Sequence, residues 1–264
     1  MNVAQSPGER LLEEYLAGRG LVFQIEPDVG GRNPDFVVEI DSATVGMEVY
    51  EPELRLPQNV AGVISTPTAL RRGFERRKYE QARAVAERGW PFVLVVARTY
   101  SDIDFDPLLA ASAMYGDLQV SFKLDTGTDE TTESSLGFGQ GARIQPQMKR
   151  AISAVALIRR LNPTAAALAA ETRLALETVR ADDPDQVQKM LAIGHDIEAH
   201  AIRTKAYDPD ATAVRLVVLH NPFATNSLDL GFFNGPRDVQ WSVLETDQGT
   251  MYGPVATGIE AKNL

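Results

Sequence analysis

Two carboxylates thirteen residues apart, Asp35 and Glu48, are the side chains best placed to do chemistry. Each lies in a short β-branched run, Asp35 to Ile40 and Thr44 to Tyr50, with Asp41-Ser42 between the runs as a turn. On the strand period of two, Asp35, Val37 and Glu39 share one face, and Gly46, Glu48 and Tyr50 share one face. Pairing the runs through the turn brings both acids to the same end of a hairpin. Two carboxylates so placed can hold a hard divalent cation, because Mg²⁺ binds through one or two carboxylates together with water and phosphate oxygens. An ion held there activates water and neutralises charge on a phosphodiester.

The elements that must position this pair are legible around it. Ser6-Pro7-Gly8-Glu9 is a helix start, with Ser6 as N-cap, Pro7 at the first helical position and Glu9 closing a capping box. Leu11, Leu12, Tyr15 and Leu16 form an apolar stripe, and Gly18 and Gly20 end the helix. Glu9 has two readings. The capping box accounts for it alone, while its alignment with Leu12 and Leu16 turns it inward. Leu21 to Glu26 reads as a strand and Pro27 to Arg32 as a glycine-rich turn. After the hairpin, Thr66-Pro67 opens a long helix to about Arg88, and Pro91 to Ala97 is a strand buried on both faces. A hairpin followed by a crossover helix and a further strand implies an α/β fold with a mixed central sheet.

In the long helix, Leu70, Phe74, Ala82 and Val85 make an apolar stripe that Lys78 interrupts. Lys78 therefore points at the sheet, with Arg77 and Gln81 as neighbours. Its other reading is a snorkelling side chain, stem on apolar surface and ammonium in water.

Pro34-Asp35-Phe36 followed by Glu48-Val49-Tyr50 resembles the PD-(D/E)XK nuclease superfamily, which includes many restriction endonucleases and archaeal Holliday junction resolvases. The likeness spans Ser6 to Ala97 and takes in the helix from Glu9 to Leu16. It implies a restriction endonuclease-like core of order α-β-β-β-α-β, with Asp35 and Glu48 as ligands of Mg²⁺ or Mn²⁺. It further implies that Glu9 aids the metal or the water, and that the substrate is DNA. The family also places a lysine two residues after the second acid, where this chain has Tyr50, which supplies no fixed positive charge. Some members draw that lysine from the following helix, and Lys78 is the candidate here, with Arg77 and Gln81 as neighbours able to share the role. The departure keeps a second reading open: a catalytically inactive nuclease-like scaffold, acting as a binding or structural subunit of a larger bacterial defence or repair complex.

Composition bounds these readings. The chain has 264 residues, 44% hydrophobic and 23% charged, which excludes wholesale disorder, collagen and coiled coil. It contains no cysteine, excluding disulfide scaffolds, thiolate metal sites and cysteine nucleophiles. The net charge of −10 argues against a diffuse grip on nucleic acid. Arg71 to Arg88, however, holds seven basic residues against three acidic ones. That window reads either as a solvated face with ion pairs such as Glu75 with Lys78 and Glu80 with Arg83, or as a nucleic-acid contact through Arg71, Arg72, Arg76 and Arg77.

Residues 1–100 are expected to form the core and residues 101–264 a C-terminal α/β extension of the same domain, with a helical insertion at about 162–206. In that extension Pro107 to Gly116 reads as a short helix and Lys123 to Lys149 as a long Gly-, Thr- and Gln-rich loop. Ala151 to Ile158 and Val214 to Leu219 read as strands, Pro163 to Ala181 and Asp185 to Lys205 as helices, and Gln240 to Leu244 as a last strand. His195 and His200 lie on different helix faces, and His220 is expected to cap the turn at Asn221-Pro222. The polar start and the lack of a membrane-length apolar run lead to the expectation of a soluble, cytoplasmic protein without membrane contact. Its expected partners are DNA, or RNA in its place, and a second copy or another protein.

Overall fold

The computed structural model describes residues 5–28, 33–40, 43–52, 76–97, 107–116, 118–125, 130–138, 149–176, 185–204, 206, 208, 211–246 and 249–255. Helix α1 (Pro7–Gly18) begins in a complete capping box: Ser6 Oγ accepts the Glu9 N–H at 3.2 Å, and Glu9 Oε2 accepts the Ser6 N–H at 2.7 Å. Its buried stripe is Leu11, Leu12, Tyr15 and Leu16. Gly20 takes φ +66°, the left-handed conformation that ends a helix at least cost.

Strands β1 (Val22–Ile25), β2 (Phe36–Ile40) and β3 (Ala43–Tyr50) follow, then helix α2 (Arg76–Ala86) and strand β4 (Phe92–Ala97). The turns expected at 29–32 and 41–42 and the beginning of the long helix, 66–75, lie outside the described residues. β1 pairs with β2 and β2 with β3 antiparallel, whereas β3 and β4 run parallel. All six residues of β4 are buried, as its unbroken apolar run requires. Phe92, Leu94 and Val96 join Ala82 and Val85 of α2 in the main core, while Ala97, on the alternate face, meets Gly8 of α1. The two helices thus cover opposite faces of the same strand.

Helix α3 (Pro107–Tyr115) adds Ala110, Ala111, Met114 and Tyr115 to that core. The remaining elements are β5 (Leu118–Asp125), β6 (Glu130–Phe138), β7 (Ala154–Leu161), α4 (Pro163–Leu176), α5 (Gln186–Arg203), β8 (Ala213–His220), β9 (Val239–Thr246) and β10 (Gly249–Val255). The strands form one mixed sheet in the order β1-β2-β3-β4-β7-β8-β9-β10-β6-β5, so the fold class is α/β. The chain divides into two compact units, one of residues 1–159 with 216–264, the other of residues 160–215. In the second unit α4 is capped by Asn162, whose Oδ1 accepts the N–H groups of Thr164 at 2.9 Å and Ala165 at 3.0 Å. Among the described residues no helix is long and apolar enough to cross a membrane.

Three expectations for the extension are corrected. The stretch from Lys123 to Lys149 is not one loop: β5 runs to Asp125, and Glu130 to Phe138 form β6, antiparallel to it. β6 carries mainly Thr, Ser and Glu, so it lacks the apolar alternation by which strands are read, and pairing with a β-branched and aromatic neighbour makes it a strand. Gln240 to Leu244 is not the last strand, because β10 follows and pairs back on β9. His220 does not cap the turn. Asn221 does, accepting the Phe223 N–H at 2.9 Å, while His220 is buried with Nε2 2.6 Å from Gln240 Oε1. Burial holds that imidazole below its ordinary pKa.

A buried carboxylate ties α1 to the end of the chain. Asp238 accepts from Tyr15 Oη at 2.5 Å, the Gly235 N–H at 2.8 Å and the Leu216 N–H at 3.0 Å. Desolvation and the Asp238 charge raise the Tyr15 phenol far above its ordinary pKa, so it remains a donor at every physiological pH.

Gly46 is dictated by the close approach of α2 to β3. A Cβ at this position would lie 2.8 Å from Val85 Cγ1, closer than side-chain atoms tolerate. Gly46→Ala is therefore expected to cost about 1–3 kcal/mol through overpacking. Urea denaturation checks this, and a variant as stable as the parent would show that α2 has room to move.

Candidate functional site

The β2–β3 register places Phe36 opposite Met47, and the next pair outward is Asp35 with Glu48. The two acids therefore share one end of the hairpin and one sheet face. It is the face toward α2, since Gly46, two residues before Glu48, lies under Val85. Glu48 is 2% exposed, a degree of burial a carboxylate reaches only when it is paired.

Helix α2 supplies the partners, one to each oxygen. The Lys78 ammonium donates to Glu48 Oε1 and, at 2.9 Å, to the Val49 carbonyl. Gln81 Nε2 donates to Glu48 Oε2 at 2.9 Å and also to the Asn33 carbonyl at 3.0 Å. Lys78 and Gln81 are three residues apart, so a single helical turn presents both. The Lys78 side chain is 25% exposed and its ammonium is held, so it does not snorkel into water.

Asp35 is bound differently. Its Oδ2 accepts the Val49 N–H at 2.7 Å, while the carbonyl of the same residue accepts from Lys78. Burial, reinforced by the charges of Glu48 and Glu9, pushes its carboxyl up to about 7; the Val49 hydrogen bond and the Lys78 charge act in the opposite direction but do not prevail. The Lys78 ammonium thus does not offset the burial of Asp35, a deficit that a divalent cation would make up. Asp35 and Glu48 fit such an ion, since hard cations take carboxylate oxygens and Mg²⁺ needs few of them. Among the described residues no three His, Cys, Asp or Glu side chains cluster as a metal site.

Glu9 is a capping residue of α1. It closes the capping box and its charge reaches Asp35. Arg76 and Arg77 belong to α2, but their side chains, with all of Arg71 and Arg72, lie outside the described residues. The expected pair of Glu75 with Lys78 lies outside them as well, and the Lys78 ammonium goes to Glu48. Tyr50, at the position of the family lysine, is half-buried against the core.

The site also contains groups that side-chain patterns do not disclose. The Val49 peptide and the Asn33 carbonyl act through backbone atoms, which no residue identity announces. Glu51 accepts the Gly8 N–H at 2.8 Å and so seats the start of α1 beside the end of β3. Its one sequence signal is an acid directly beyond the strand that carries Glu48.

A pH dependence follows. An acid whose folded-state pKa is raised keeps its proton in the folded chain where the unfolded chain has lost it. Stability from this group is therefore lost as pH rises from the ordinary 3.8 to about 7. Asp35→Asn is expected to raise the melting temperature by several degrees at pH 8 and by progressively less toward pH 4. Scanning fluorimetry across that range checks it, and a pH-independent difference would count against the buried-acid account. No family model matches the chain, and neither a curated protein nor a solved structure matches it.

Proposed function

We propose that the chain is a metal-dependent nuclease of the PD-(D/E)XK type, hydrolysing phosphodiester bonds of DNA. The observation that carries this reading is the Lys78 ammonium on Glu48, reached from the helix that follows the hairpin. It supplies from α2 the positive charge that Tyr50 does not. The succession of α1, β1, β2, β3, α2 and β4 supports a restriction endonuclease-like core, as does the parallel pairing of β3 with β4. The excess of arginine and lysine from Arg71 to Arg88, in and just before α2, supports a polyanionic substrate.

In this reading Asp35 and Glu48 hold Mg²⁺ or Mn²⁺, whose chemistry is to acidify water and to neutralise phosphate charge. The protein contributes position and charge. Val49 N–H orients Asp35, Gln81 orients Glu48, and Glu9 adds negative charge at the Asp35 side. Among the described residues Lys78 is the cation fixed at the acids, placed to stabilise negative charge that develops on a phosphate. A neutral Asp35 would have to surrender its proton when the ion enters, so metal binding weakens as pH falls below about 7.

A second reading draws on the same contact. Lys78 donates to both Glu48 and the Val49 carbonyl, a closed ion pair that also serves a catalytically inactive scaffold in a larger complex. A cleavage panel separates the two. Supercoiled plasmid, linear duplex, single-stranded DNA, branched DNA and RNA are incubated with Mg²⁺, Mn²⁺ or EDTA. Metal-dependent cutting is expected, abolished in Asp35→Ala and Glu48→Ala and slowed about 10²–10³-fold in Lys78→Met. Cutting that persists in both carboxylate variants would reject the site assignment. No cutting, together with no Mn²⁺ binding by calorimetry, would favour the scaffold.

A further inference from the structure

Gln81 is 8% exposed, and its two amide atoms are treated unequally. Nε2 donates both of its hydrogens, to Glu48 Oε2 and to the Asn33 carbonyl, whereas Oε1 is buried without a hydrogen-bond partner among the described residues. Both groups facing Nε2 are acceptors, so rotating the amide to exchange its atoms would bring oxygen against oxygen twice. A buried polar atom left unpaired in a native fold requires a reason. Here the reason lies at the nitrogen, because Asn33 is two residues before Asp35 and Glu48 is the other acid. One nitrogen therefore spans the strand start that bears the first carboxylate and the side chain of the second.

We infer that Gln81 is a positioning residue of the site: it sets Glu48 in a fixed relation to the strand bearing Asp35, and so fixes the separation at which the two acids take a divalent cation. The inference rests on the nuclease reading but adds a residue outside the PDX and EXK motif positions. Lys78 cannot perform this task, since both of its bonds go to adjacent residues of one strand, Glu48 and Val49. A ligand's supporting hydrogen bond typically changes metal affinity 10–100-fold when it is removed.

The test is Mn²⁺ titration by calorimetry on the full chain, wild type beside Gln81→Met, with thermal melting of both. Gln81→Met keeps the length of the side chain and removes the clamp. The expected result is a folded variant whose Mn²⁺ affinity falls about 10-fold or more. A structural role alone would lower the melting temperature and leave the affinity of the folded protein unchanged. If Gln81→Met does not fold, Gln81→Asn decides, because its amide is one methylene too short to reach both acceptors. Wild-type affinity in either folded variant overturns the positioning role while leaving the nuclease reading intact. No Mn²⁺ uptake by wild type overturns both.

Discussion

The carboxylate of Glu48 is buried beside Asp35 on the sheet face that α2 covers, two residues along the strand from Gly46. A charge there is costly unless every lone pair is answered, and removing one partner of such a pair typically costs about 3–5 kcal/mol. Most of the local architecture can be traced to that requirement. Gly46 lets α2 come down onto β3, and only at that distance do Lys78 and Gln81 reach the two oxygens. Ala82 and Val85, on the same helix, close the apolar part of the interface.

Asp35 meets the same constraint by a different route. Among the described residues it has one backbone donor and no ammonium of its own, and desolvation and its acidic neighbours favour the protonated acid. The two carboxylates are therefore unequal although they lie opposite one another: Glu48 is compensated by the protein, and Asp35 awaits compensation. That asymmetry arises from what α2 presents, since Lys78 and Gln81 both donate to the Glu48 carboxylate.

Around this centre the fold is held by buried polar groups that link distant parts of the chain. Asp238 gathers the hydroxyl of Tyr15 and two peptide N–H groups, joining the first helix to the entry of β9. Tyr115 donates to the His220 carbonyl, and Gln240 lies between His220 and the Phe233 carbonyl, joining α3, β8 and β9. The bonds of Tyr15, Tyr115 and His220 are buried and span separate parts of the chain, and a satisfied buried polar network rigidifies the core around it.

Much of the first hundred residues can be read without coordinates because local rules govern them. The Ser6 capping box, the stripe from Leu11 to Leu16, the alternation around Asp35 and Glu48 and the unbroken run of β4 each follow from neighbours within one or two turns. The inward placement of Lys78 was legible too, as a charge interrupting an apolar stripe. Polar strands were not: β6 is defined by its partner β5, and no periodicity within Glu130 to Phe138 requires it. The sequence by itself determined which residues form α1, the hairpin and β4, since capping, period and burial act locally. Tertiary structure alone decided that Lys78 and Gln81 divide the two oxygens of Glu48, that Val49 donates to Asp35 and accepts from Lys78, and that Asp35 keeps its proton toward neutrality. Those outcomes depend on desolvation and on distances between segments 14 to 33 residues apart, quantities that no local pattern encodes.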